Sequence, residues 1–239
     1  MVSVVILSLV TDQNSFEVTK NCVDSFAKSD LVSEIIVVES NKRFFLDQLQ
    51  ANSQYHEKAQ VKIPPYEFNY NQFLNIGKSF CTSEYIIFSN NDLIVEDNCV
   101  ELLYDTLKND PELMGVCPID RAWHRHSQMY FPADNKLYTG YYTGLHMFGC
   151  IYMLKKQVFN VIGDFDERFF FFYQDDDLAA TMCSKKVKHG LLTSARVKHK
   201  IAKYGQPDGG EKYRYTPNNM NTQGDIFGEK WGTDPRADL

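Results

Sequence analysis

The sequence contains no Cys-x-x-Cys pair, no Asn-x-Ser/Thr sequon, no internal repeat and no excess of positive charge. Each absence removes a class. The six cysteines (Cys22, Cys81, Cys99, Cys117, Cys150, Cys183) are scattered, mostly among apolar neighbours, which speaks against a disulfide framework and fits reduced, buried thiols. The apolar start, residues 2–10, has no basic segment before it. It is too short for a bilayer, which takes about 20 apolar residues, and it lacks the basic start of a secretory leader. The expected compartment is therefore the cytoplasm, with no membrane span. Lys and Arg number 25 against 31 Asp and Glu, a net charge of −6. Nucleic-acid binding by phosphate neutralisation needs the opposite balance, so nucleic acid is not an expected partner; a local groove of Arg121, Arg125, Lys155 and Lys156 would be the place for one. Without a repeat, solenoid architectures drop out.

What is present is an ordinary globular composition, 44% hydrophobic and 23% charged, in a chain of 239 residues. That length predicts one domain with an appendage. Residues 2–10 and 34–38 are continuous, β-branched and apolar, as strands buried on both faces are. Residues 84–88, 114–117 and 149–154 read as further strands, with a short one at 60–63. Helical spacing covers 15–28, 70–80, 99–107 and 177–186, with short helices at 44–52 and 155–161. Strands alternating with helices predict an α/β fold: a Rossmann-like, mostly parallel sheet flanked by helices. Residues 203–239 hold 6 of the 13 glycines and 3 of the 8 prolines, which predicts a loop-rich extension or lid.

Four clusters could carry chemistry. Ser89-Asn90-Asn91-Asp92 ends the strand at 84–88. It reads either as a polar turn or as a carboxylate placed for a divalent ion at the carboxyl end of a sheet, where open α/β folds bind ligands. Asp175-Asp176-Asp177 follows an aromatic run and opens a helix. One carboxylate there would serve as a cap, but three adjacent like charges call for a cation or a catalytic need, and an Asp in that place could act as general base. His199, after a short strand, is either an ordinary side chain or an extra ligand for Mn²⁺. His56 and His189 read as solvated. Glu39, after the second strand, and the helix carrying Asn71, Asn75 and Gly77 could face a nucleoside, or be a strand end and a helix with solvated amides. Gly77 within a helix costs about 1 kcal/mol against Ala and points to close packing.

In this order and spacing the residues resemble family-2 glycosyltransferases with the GT-A fold, and within them the rhamnosyltransferase-like branch. The matching pieces are the first strand at 2–10, Glu-Ile-Ile-Val-Val-Glu-Ser-Asn at 34–41, Asn71-x-x-x-Asn75-x-Gly77, and the strand ending in Asn90-Asn91-Asp92. Gly163-Asp-Phe-Asp166-Glu167, Gln174-Asp-Asp-Asp-Leu178, His199 and the Lys230-Trp231-Gly232 segment follow. Two departures stand out: Asn90 takes the place of the first Asp of the metal motif, and Gln174 the place of a Glu. The resemblance implies a metal-dependent, inverting transfer of a sugar from a nucleoside-diphosphate sugar to a hydroxyl acceptor: a glycan, a protein glycan or a modified nucleobase. It implies Asp92 and His199 as ligands of a divalent cation, Mn²⁺ or Mg²⁺, and Asp175 as the base, with Asp177 a lesser choice. Thr11, Glu39, Asn75, Asn90 and Asn91 would line the donor nucleotide, and the aromatics 169–173 the acceptor. Residues 1–202 would be the catalytic domain, its nucleotide half about 1–117 and its acceptor half about 118–202, with 203–239 appended. A non-catalytic nucleotide- or sugar-binding module on the same fold is the competing reading, which Asn90 and Gln174 would favour.

Overall fold

Seven consecutive residues, Val2–Ser8 (β1), are buried without exception, the signature of a strand covered on both faces. The computed structural model describes residues 1–41, 55–120, 135–199 and 217–237. The helix expected at 44–52 and the residues Arg121 and Arg125 lie outside them. From β1 the chain passes through helix α1 (Gln13–Ala27) to β2 (Val32–Glu39) and then β3 (Ala59–Lys62). Asp12 starts α1 by accepting from the Ser15 backbone, and Ser15 returns the bond to the Asp12 backbone. This reciprocal cap satisfies two orphan donors. Helix α2 (Tyr70–Ser79) leads to β4 (Tyr85–Asn90) and the short β5 (Leu93–Val95). Helix α3 (Cys99–Asn109) and β6 (Leu113–Ile119) come next. After β7 (Leu137–Thr139) and β8 (Ile151–Lys155), a single helical turn, α4 (Phe159–Ile162), precedes α5 (Gln174–Ser184), the long β9 (Lys188–His199) and α6 (Pro217–Trp231).

Among the described residues the strands form one sheet in the order β3-β2-β1-β4-β8-β6-β9-β5, with β7 also on β9. The first four are mutually parallel and β8 enters antiparallel, as do β5 and β7 against β9. This is a mixed α/β sheet flanked by helices, with parallel and antiparallel pairings in equal number, in one domain. Gly77 sets the distance between α2 and the sheet. A Cβ there would fall 2.4 Å from Val5 Cγ1 and 3.0 Å from Val38 Cγ2, so only glycine lets the helix sit on β1 and β2.

Three features depart from expectation. The C-terminal stretch read as loop-rich contains a 15-residue helix, α6. Helix α5 begins at Gln174, three residues before the periodicity suggests, because Tyr173 takes a left-handed turn (φ +61°) directly ahead of it. All three aspartates therefore lie in its first turn. His189, read as solvated, is 1% exposed. It sits on β9 facing Gly115, where a Cβ would come within 2.6 Å of its ring, and burial followed by the nearby His146 drives its pKa down to about 3. The cysteines are free, four of them buried. No described helix is long and apolar enough to cross a membrane.

Candidate active site

The register of the parallel strands brings several chain ends to one edge of the sheet. Ser8 pairs with Glu39 across β1 and β2, and Leu7 with Asn90 across β1 and β4. A cavity of about 660 Å³ opens at this edge, the place where α/β sheets bind ligands. Its walls are the 7–9 and 90–92 turns, the 143–150 loop, Phe68, Tyr70, Phe171, the start of α5 and His199.

Asp92 and His199 meet on one wall, with His199 Nε2 3.0 Å from Asp92 Oδ1. The antiparallel pairing of Leu93 with His199 brings them together. A third residue, Asp120 at the end of β6, accepts from the His199 backbone N–H at 2.8 Å and fixes that strand end. Desolvation alone would lower the pKa of His199, but its hydrogen bonds with Asp92 and the Cys150 thiol outweigh this and raise it to about 10. Once a cation displaces the imidazole proton, the pair would offer one carboxylate oxygen and one imidazole nitrogen, a donor set suited to Mn²⁺ or Mg²⁺. Among the described residues no third His, Cys, Asp or Glu converges with them as a metal cluster.

Asp175 stands on the same cavity. Burial first, then the charge of Asp176, push its carboxyl up to about 6. Room for it is made by Gly149, where a Cβ would lie 2.4 Å from Asp175 Oδ2. The Gly149 carbonyl accepts from the Tyr70 hydroxyl at 3.3 Å, and the same hydroxyl donates to Asn90 Oδ1 at 3.1 Å. One buried tyrosine thus ties the cradle of Asp175 to the turn that carries Asp92. Asp177, the other candidate base, is engaged elsewhere. It binds Lys230 Nζ at 2.8 Å and the Trp231 indole N–H at 2.9 Å, on the far side of α5 from the cavity wall.

The structure brings Asn90, Asn91, Asp92, Asp175 and His199 together and leaves three of the sequence-predicted residues apart. Thr11 is exposed at the α1 cap, its N–H bonded to Ser15. Glu39 is fully enclosed, and its Oε1 accepts from the backbones of Val10 (3.1 Å) and Asn41 (2.6 Å), bracing the β1 and β2 ends. Asn75 faces the 163–169 loop, with bonds to both backbone groups of Phe165 and to Glu167. Asn71, one turn earlier, holds Asp166 O, so the paired asparagines of α2 are a clamp on that loop. Of the aromatics 169–173, Phe171 lines the cavity, whereas Phe169 is buried and, with Tyr173, packs on Phe227. Lys155 and Lys156 sit at the opposite end of β4 from the cavity, bonded to the carbonyls of Asp110, Pro111 and Cys81. They form no groove with the site. Asp120, Tyr70, Gly149 and Arg236 carry no local signal, because their partners are distant in the chain; only the glycine left a trace, as the start of a predicted strand.

The model of glycosyl transferase family 2 matches residues 9–163. No curated protein matches the sequence. Among solved structures, GalNAc-T7 with UDP, GalNAc and Mn²⁺ is similar with a TM-score of 0.64 at 15% identity, over 92% of this chain and 47% of that one. The mannosyltransferase PcManGT from Pyrobaculum calidifontis, in complex with GDP-Man and Mn²⁺, also gives a TM-score of 0.64, at 14% identity over 85% of this chain and 58% of that one. The chain thus spans about half the length of these structures, and the likeness is one of fold.

Proposed function

Because the chain belongs to glycosyl transferase family 2, we propose that it is an inverting enzyme that moves a sugar from a nucleoside-diphosphate sugar to an acceptor hydroxyl, with Asp175 as general base. The observation that supports this is the meeting of two opposed groups in one cavity: the Asp92–His199 pair on one wall and Asp175, pushed up to about 6, on another. A divalent ion held by Asp92 and His199 would neutralise charge on the departing diphosphate. The solved relatives hold UDP or GDP-Man with Mn²⁺, and the donor set here fits the same kind of ion.

Asp175 takes the proton of the acceptor hydroxyl as that oxygen bonds to the anomeric carbon. The bond to the diphosphate oxygen breaks on the opposite face, so configuration inverts. A carboxylate buried beside a like charge keeps enough proton affinity to accept at neutral pH, which matches a base to its task. Phe171 and Phe68 give the cavity flat apolar walls on which a sugar face can lie. A glycan hydroxyl is the acceptor these walls favour. In this reading residues 1–202 would be the catalytic domain, of the rhamnosyltransferase-like branch, with the C-terminal segment bracing it.

The test is a panel of nucleoside-diphosphate sugars with Mn²⁺ and hydroxyl acceptors, read as nucleotide release and transferred sugar. Transfer with inversion, lost in Asp175→Asn while donor binding stays, is the expected result. Full transfer by Asp175→Asn, or no metal-dependent donor binding by the wild type, would overturn the reading.

A further inference from the structure

From the C-terminal segment, Arg236 bonds two residues that line the cavity. Arg236 is 9% exposed, and its guanidinium uses its whole fork. Nε and Nη2 bind Asp234 at 2.9 and 2.7 Å, and Nη1 binds Asp176 Oδ1 at 3.0 Å and Thr143 Oγ1 at 2.9 Å. Its Cζ lies 5.7 Å from the centre of the Phe227 ring of α6. The Pro235 carbonyl accepts from the Cys183 thiol of α5 at 3.3 Å, which anchors the segment on that helix. Thr143 and Asp176 both line the cavity, as Asp175 does. No lysine could span these three segments, because a point ammonium lacks the planar fork.

We propose that Arg236 is a positioning residue for the transfer: by joining Asp176 to Thr143 it fixes the wall that presents Asp175 and neutralises the charge of Asp176 beside it. This rests on the reading of Asp175 as the base. Without Arg236, Asp176 would stand as an unpaired carboxylate next to a buried one, and two close carboxylates do not both ionise freely. Asp176 raises the proton affinity of Asp175 and Arg236 lowers it. The other groups around Asp175 hold no opposing charge. Tyr70 on α2, Tyr152 on β8 and Cys150 in the preceding turn are all kept protonated by burial, Asp177 turns to Lys230, and Asp92 and His199 pair with each other on one wall of the cavity. The C-terminal segment would then be part of the catalytic apparatus without touching substrate.

The experiment is the pH profile of kcat/KM for Arg236→Met, Asp176→Asn and the double variant, with Arg236→Lys and Asp175→Asn beside them. Arg236→Met is expected to move the acidic limb up by roughly half a unit to one unit, which makes the rate at pH 6 about two- to fivefold lower than protonation alone allows in the wild type. Asp176→Asn moves the limb down, and the double variant brings it back near wild type. Arg236→Lys keeps the limb, since it keeps the charge, but lowers kcat through the lost fork. A limb that stays in place in Asp176→Asn, or a shift in Arg236→Met that the double variant does not reverse, overturns the proposal; so if Arg236→Met fails to fold, Asp176→Asn decides alone. Activity retained by Asp175→Asn would instead overturn the choice of base, which separates the two failures.

Discussion

Gly149→Ala is the sharpest perturbation of the cavity, because it adds one methyl group at one point. The new Cβ would lie 2.4 Å from Asp175 Oδ2, 2.8 Å from its Cγ and 2.9 Å from its Cβ. Turning the carboxylate about its Cβ–Cγ bond relieves the first contact and not the other two, so the side chain as a whole must withdraw. Carbon atoms rest at about 3.5–4.0 Å, which asks for a movement of roughly 1 Å. The 149–150 turn cannot retreat in its place. Its carbonyls accept from the Tyr70 hydroxyl and from the Asn90 N–H, the latter at 2.8 Å. Overpacking of this kind costs about 1–3 kcal/mol, which lowers the melting temperature by several degrees in a domain of this size. The larger effect falls on turnover, since a misplacement of about 1 Å can lower a rate ~10²-fold. Initial rates at saturating donor and acceptor should show kcat reduced to that extent, with donor KM unmoved, because Asp92 and His199 are untouched. A Gly149→Ala enzyme with wild-type kcat would refute the reasoning: the position of Asp175 would then have no part in the chemistry.

Asp175→Asn should lower transfer by about 10²–10⁴-fold, with donor affinity by calorimetry unchanged. In the wild type the base works only when ionised; with its pKa raised to about 6, the rate should be flat above that value and fall as pH drops through it. Asp92→Ala should abolish the Mn²⁺-dependent part of nucleotide binding in calorimetry with and without the ion, and unchanged metal-dependent binding would contradict its role. Lys230→Met leaves Asp177, which is 4% exposed, without its ion partner and should destabilise the fold by about 3 kcal/mol, read by denaturant melts. Asp166, held below the usual carboxylate range by Arg168 and then Lys230 against the opposing pull of desolvation, contributes stability above about pH 4 that fades as pH falls; Lys230→Met should flatten that slope.

How far the sequence carried depends on the range of the interactions involved. Residues 2–8 and 85–90 are strands because every inward and outward position is apolar or small, and that is a local property. The turn at Asn90–Asp92 and the acidic run that opens α5 were legible because polar residues at the ends of buried strands and helices are uncommon enough to notice. The asparagines of α2 were visible as an i, i+4 pair, but their target, the loop near Phe165, lies about 90 positions away, and nothing local distinguishes a clamp from a ligand contact. Glu39 misled for the same reason: it looks like a ligand-facing acid, yet its Oε1 is taken up by the Val10 and Asn41 backbones. The glycines and prolines of the C-terminal stretch suggested loop. Pro217 instead opens α6, where the N–H it lacks would have had no helical partner, and Gly224 lets the helix approach the Tyr173 ring, whose hydroxyl would stand 3.2 Å from a Cβ.

The run Asp175-Asp176-Asp177 shows why a one-dimensional reading stops short of a mechanism. A helix turns about 100° per residue, so three adjacent side chains in its first turn must leave in three directions. One reaches the cavity, one meets Arg236, and one meets Lys230 and Trp231. Both cations come from the last 10 residues of the chain, and each neutralises a neighbour of Asp175 and leaves Asp175 itself unpaired. Repulsion among the three is removed twice and kept once. The carboxylate that keeps it is the one enclosed beside Gly149, with its proton affinity raised. A structural cap would need one acid and no cations. An acid that must accept a proton needs its neighbours neutralised and itself left free, and that is the arrangement the C-terminal segment completes.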